Sequence, residues 1–336
     1  MLKARHFLFV LVCFVGTYAQ AQDPVFSQFF AAPLQLNPAF AGNAQAPFIA
    51  LNYRVQWPSF GADTEQPGYN TSSASYDQFI DNLNSGIGFT VMTDNQADIV
   101  KRTTAALHYA YRVKLNDYLT AKIGLQVGVF QSSLNWDKFI FQDQIDPLRG
   151  PVLRTAEERP LQLAQTKFDV GSGVMLYGET FHVGLNLSHL TTPNESFLIQ
   201  TINGTTLGLP LRTTLHGGYT YVARKGTRRT AEVYISPTFL YTRQSTLNQL
   251  NVGSYAGFGP IFGGMWYRHT FGNPDALIMA LGFRNPYFKF GYSFDFTVSN
   301  GLSGKTGGTH EVSLVFNLDP DAGKRKDLTD CFKMFR

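Results

Sequence analysis

Between Pro47 and Trp57 the chain alternates. Ile49, Leu51, Tyr53, Val55 and Trp57 share one parity, while Ala50, Asn52, Arg54 and Gln56 share the other. Successive side chains of a β-strand point to opposite faces, so this stretch predicts a strand with one apolar and one polar face. The pattern recurs over Arg102 to Val113, Leu119 to Gln131, Tyr287 to Val298 and Thr309 to Leu318. Weaker versions lie near 69–80, 85–93, 166–178, 180–190, 211–224, 230–241, 246–258, 260–271 and 275–284. The sum is about fourteen strands, an even number of the kind single-chain bacterial membrane barrels use.

The connections carry a second regularity. Short ones (Asp81 to Asn84, Lys114 to Tyr118, Gly178 to Thr180, Asn285-Pro286) alternate with often longer ones (Pro58 to Pro67, Ser132 to Gln165, Thr191 to Pro210, Ser299 to Gly308), although those near 242–245 and 272–274 are short on the second side. Outer-membrane barrels are built this way, with short turns on the periplasmic side. Soluble sandwiches and propellers also alternate, but their polar faces meet bulk water and carry many Lys and Glu residues. Here the polar parity is rich in Gly, Ser, Thr, Asn and Ala with isolated charges, which suits a crowded lumen. The expected fold is an all-β, antiparallel transmembrane barrel.

Composition sharpens this expectation. Charged residues make up 15% of the 336 positions and aromatics 14%. The net charge of +4 is spread too thinly for a nucleic-acid surface. Lys3 and Arg5 precede an apolar stretch from Phe7 to Val15, and Ala19-Gln20-Ala21 forms an A-x-A cleavage site. Residues 1–21 therefore read as a signal peptide, with Gln22 first in the mature chain. Cys13 goes with the leader, and Cys331 alone cannot form an internal disulfide. Residues 22–46 form a periplasmic or plug-like segment, 47–318 the barrel, and 319–336 a periplasmic tail, so both termini are expected in the periplasm.

The segment 22–46 is apolar (Phe26, Phe29, Phe30, Leu34, Leu36, Phe40), yet Pro33 and Pro38 interrupt any continuous helix. It is expected either to tuck into the periplasmic mouth as a plug or brace, or to pack as a cap on the first strand. The parity rule sends Arg54, Arg112, Lys122, Lys167, Asp169, Glu232, Arg268, Lys289, Asp295 and Glu311 inward. Of these, Arg54, Arg112, Lys122, Asp169, Arg268 and Asp295 are candidates for contact with a partner segment. The plainer reading is a network of ion pairs filling the barrel. The histidines are scattered without metal-ligand spacing, and the glycine pairs precede no helix that would bind phosphate. No cofactor, metal or catalytic residue is expected, and the chain does not read as an enzyme.

The stretch QDPVFSQFFAAPLQLNPAFAG at residues 22–42 resembles the opening of the PorP/SprF family of type IX secretion outer-membrane proteins. The matching positions are Asp23, Pro24, Phe26, Gln28, Asn37, Pro38 and Gly42, followed by Asn52, Tyr53, Arg54, Gln56 and Trp57. Later, Trp266-Tyr267-Arg268 and Gly308 to Leu314, with His310 and Glu311, resemble further family motifs. The resemblance implies an outer-membrane component of a secretion and gliding apparatus whose partners are membrane lipid, other secretion components and secreted cargo. SprF-like members bind the C-terminal domain of a secreted adhesin and support its export and surface attachment. PorP-like members link the machinery to periplasmic partners. A diffusion porin is the alternative of a different class.

Overall fold

The computed structural model describes residues 23–44, 46–59, 68–197, 208–226, 230–271, 273–299 and 306–319. The leader, Cys331 and the tail beyond residue 319 lie outside the described residues. The first strands are β1 (Phe48–Gln56), β2 (Tyr69–Ile80), β3 (Ser85–Gln96), β4 (Val100–Lys114) and β5 (Thr120–Leu134). Then come β6 (Ala164–Tyr177), β7 (Phe181–Ser188), β8 (Arg212–Tyr219, continued over Tyr221–Arg224), β9 (Val233–Gln244) and β10 (Leu247–Phe258). The last four are β11 (Ile261–Thr270), β12 (Asn273–Arg284), β13 (Phe288–Thr297) and β14 (Thr309–Asn317).

Each strand pairs antiparallel with its neighbours in sequence, and β1 pairs with β14 from Phe48↔Asn317 to Gln56↔Thr309. The described residues thus form a closed barrel of fourteen strands. Every strand expected from the alternation is present. β3 and β4 run longer than their patterns, because Ala97 and Asp98 both take positive φ (53° and 57°) in a tight hairpin. That backbone matches the twist of two paired strands, so the ladder continues up to the turn.

One end of the barrel carries the short turns 81–84, 115–119, 178–180, 259–260 and 285–287. The other carries the long connections 57–68, 135–163, 189–211 and 298–308, together with short hairpins at 97–99 and 245–246. Leu107, Ile123, Leu125, Val127, Phe168 and Leu281 stand exposed on the outer wall. An apolar belt of this extent belongs in lipid, which answers the alternation in β1: Ile49, Leu51 and Tyr53 face outward, and Ala50, Asn52 and Arg54 are buried inside.

The apolar core lies within the lumen. Residues 23–44 run through it from end to end. Asp23 sits at the long-loop end, bonded to Arg102 near the start of β4 and Gln244 at the end of β9. Gly42 sits at the short-turn end, its N–H donating to Asp77 of β2. This corrects the expectation that the segment tucks into one mouth. Asp23, the first described residue, lies at the long-loop end and Asn317, the last of β14, at the short-turn end; the expected periplasmic tail lies outside the described residues. The polar lumen supplies partners along its whole length, so the segment is held throughout.

Candidate functional site

At the long-loop end the segment is anchored by one carboxylate. Asp23 accepts from Arg102 Nη1 at 3.0 Å, His189 Nε2 at 2.6 Å and Gln244 Nε2 at 3.1 Å, with Arg212 Nη1 at 3.7 Å. Its backbone N–H donates to Gln244 Oε1 at 3.1 Å. His189 follows β7 directly, in the left-handed region at φ 61°, and its Nδ1 faces Asp169 Oδ2 at 2.8 Å. Arg102 also holds Glu195. Burial works against the Asp23 carboxylate, but His189, Arg212 and Arg102 outweigh it and hold its pKa well below the usual carboxylate range. Burial alone would lower the His189 pKa; Asp23 and Asp169 reverse this and raise it to about 9. Burial pushes Glu195 up.

Deeper in, the wall reads the main chain of the segment. Both carboxylate oxygens of Glu311 are taken by backbone N–H groups, those of Ser27 and Gln28, each at 2.8 Å. The Gln28 side chain bonds Glu311 O at 3.0 Å and Ser313 Oγ at 2.7 Å. Ser27 Oγ donates to Asp295 Oδ2 at 2.6 Å, and Arg268 Nη1 donates to the same oxygen at 2.9 Å. Next, Phe30 enters an aromatic pocket, with ring centroids 5.9 Å from Trp266, 6.2 Å from Tyr255 and 6.3 Å from Phe262.

Pro33–Leu36 forms a single helical turn and Pro38–Phe40 a tighter one, with proline at the first position of each, where no N–H is needed. Asn37 joins them, its side chain accepting from Ala39 N at 2.9 Å. Its amide also reaches Val174 O (3.2 Å), Leu185 O (3.3 Å) and His216 Nε2 (3.0 Å). Phe40 stacks on His216 at 5.2 Å. Lys122 Nζ donates to Ala41 O at 2.6 Å. Two glycines let the backbones touch: a Cβ on Gly124 would fall 2.2 Å from Ala39 N, and one on Gly86 2.0 Å from Ala41 O.

The candidate lumen charges are thus placed as follows. Lys122, Arg268 and Asp295 bind the segment, and Asp169 binds it through His189. Arg54 points inward, opposite Glu311 in the strand register. Arg112 sits at the short-turn rim, over the Phe79 ring at 4.3 Å and bonded to Asn84. On the long-loop side of the segment a polar cavity of about 450 Å³ remains, lined by Arg54, Asp94, Gln249, Arg268 and Asp275, with Asp23 to Val25 along one side. Arg102, Arg212 and Gln244 were not marked by the sequence reading. They lie near strand ends at this mouth of the barrel, where alternation is weakest; inward parity was the only signal pointing to them.

A model of the type IX secretion system membrane protein PorP/SprF family matches residues 18–316. The chain belongs to this family. Among solved structures, a PorP/SprF barrel of this sequence is similar to a deletion variant of TodX, a monoaromatic hydrocarbon channel, at 9% identity and a TM-score of 0.46, covering 84% of this chain and 92% of that one. It is also similar to a triple mutant of the Rhodopseudomonas blastica porin, at 7% identity and a TM-score of 0.36, covering 81% and 98%. No curated protein sequence matches the chain.

Within this PorP/SprF barrel the motif residues fall largely on the contact between segment and wall. Asp23, Gln28, Asn37, Trp266, Arg268 and Glu311 make the bonds and ring contacts given above. Phe26 and Pro38 are buried, Pro24 borders the long-loop cavity, and Gly42 turns at φ 66°. Other motif residues lie elsewhere. Tyr53 is exposed on the outer wall. Trp57 ends β1 at φ 55°, its N–H donating to Gly308 O at 2.8 Å. His310 pairs with Tyr292 Oη at 2.8 Å.

Proposed function

We propose that this barrel is a closed, partner-binding component of the type IX secretion pathway, with its long-loop end outward. In this reading it holds the C-terminal domain of a secreted adhesin and supports export and surface attachment, as SprF-like members do. The observation that carries it is the filled lumen. A diffusion porin keeps polar and charged lumen groups free to face water and solute. Here Glu311, Asp295, Arg268, Lys122 and the Asp23 anchor are engaged by the chain's own N-terminal segment. A barrel closed in this way serves as a rigid membrane platform, and its long loops are the surface left for protein contact. The largest, 135–163, fixes its own backbone: Asp146 accepts from the N–H groups of Leu148 and Arg149, and Asp143 from Ala156.

The test is to purify the tagged protein from native outer membranes in mild detergent and identify its companions by mass spectrometry. A large surface protein with a secretion-type C-terminal domain supports the reading. Periplasmic, peptidoglycan-linked companions without such cargo favour the PorP-like role instead. A partner-free barrel that conducts steadily in a planar bilayer overturns it in favour of a porin.

A further inference from the structure

Beside the side-chain bonds of Asp23, Ser27, Gln28 and Asn37, two kinds of contact recur inside the lumen. One kind addresses only the main chain. Glu311 takes two consecutive amides, Asn186 reaches Leu36 O at 3.1 Å, Lys122 reaches Ala41 O, and Asp77 takes the Gly42 amide. The other kind is a pair of aromatic sites: Phe30 against Trp266, and Phe40 against His216. Main-chain bonds that give affinity, with pockets for spaced side chains that give specificity, are the recurring physics of peptide recognition. Nothing in this chemistry requires that the peptide be joined to β1.

We propose that the lumen is a receptor for a polypeptide segment, with residues 23–44 as its resident ligand. The ligand class is an irregular segment led by a carboxylate and carrying two phenylalanines at the spacing of Phe30 and Phe40. The covalent link gives the resident segment a high effective concentration, so it excludes competitors while the chain is intact. Once the link is cut, a free copy of the same segment exchanges with it. This rests on the lumen contacts alone and goes beyond the secretion role; it stands or falls independently of whether an adhesin is recovered.

The experiment inserts a protease recognition sequence at residue 45, between the segment and β1. The purified barrel is cut, and retained mobility in unheated gels checks that the wall stays folded. Mass spectrometry then follows the segment, and a fluorescent synthetic peptide of residues 22–44 is added in excess. The expected result is a segment that survives gel filtration and then exchanges with the labelled peptide. A peptide carrying F30A should compete about 100-fold less well, the size of effect that losing a buried phenylalanine carries. The proposal is overturned if the cut barrel neither releases nor rebinds the peptide, or if F30A competes equally. It is also overturned if cutting unfolds the wall, because the segment is then an inseparable part of the fold rather than a ligand.

Discussion

Truncating Phe30 isolates the energy that keeps the lumen closed. Its side chain is 1% exposed and its ring lies within 6.3 Å, centroid to centroid, of Trp266, Tyr255 and Phe262. Phe→Ala at a site this enclosed costs roughly 3–5 kcal/mol, combining lost transfer energy with the cavity left behind. The three partner rings stand on β10 and β11 of the wall, and those strands keep their ladder bonds whether or not Phe30 is present. Most of the cost therefore falls on docking of the segment. With 1.4 kcal/mol per factor of ten, the unplugged population should rise roughly 10²- to 10³-fold. The assay is single-channel recording in a planar bilayer, comparing the open fraction of F30A with the parent at fixed voltage. Thermal unfolding of the same samples is followed by gel mobility. If F30A unfolds at a lower temperature while its open fraction stays at the parental value, the pocket braces the wall instead of holding the segment, and the reasoning fails.

Four further outcomes are expected. Gly124→Val places a side chain where Ala39 N now lies, so it should expel the lower half of the segment; protease cleavage within 33–44 in an otherwise folded barrel reads this out. The anchor at Asp23 should depend on pH in a defined sense. His189 has its pKa raised to about 9, so its contribution is complete below its ordinary value of 6.5 and lost as pH rises through about 9. Asp23 has its pKa depressed, so its contribution is present above the ordinary value of 3.8 and lost only at more acidic pH. A pH titration of open fraction should thus be flat below about pH 6.5, climb between 6.5 and 9, and level off above that. Arg102→Ala leaves Asp23 and Glu195 short of a shared cation and should speed amide exchange in residues 23–28 without altering that of β4 or β5. Replacing residues 136–160 by a short linker should leave gel mobility unchanged and abolish co-purification of the secreted partner.

The strands were legible because each obeys a local rule. In β5, Ile123, Leu125 and Val127 against Lys122, Gly124 and Gln126 states both the element and its two faces, and lipid outside with polar lumen inside enforces that rule over all fourteen strands. The path of residues 23–44 was not legible. Its prolines break periodicity, and its contacts join positions as distant in sequence as Ser27 and Glu311 or Asp23 and Gln244. Parity marked Lys122, Asp169, Arg268 and Asp295 as inward, yet it could not say that their partner was the same chain. The lumen glycines show this limit well. Nothing in the alternation sets Gly86 and Gly124 apart, and only the three-dimensional path reveals that the backbone packed there is that of Ala41 and Ala39.

A segment that traverses a closed ring ties the interior of the ring to its seam. With the segment seated, its backbone lies against the wall at Gly86 and Gly124, where a Cβ would fall 2.0 Å from Ala41 O and 2.2 Å from Ala39 N. The segment precedes every strand in the chain, so a mandrel for the sheet is supplied before the ring is complete. Glu311, which grips Ser27 and Gln28, stands on the strand that seals the seam, opposite Arg54 of the strand that follows the mandrel. The strand that seals the seam thus also brings the carboxylate that fixes the mandrel, and a chain lacking residues 23–44 closes without that bond.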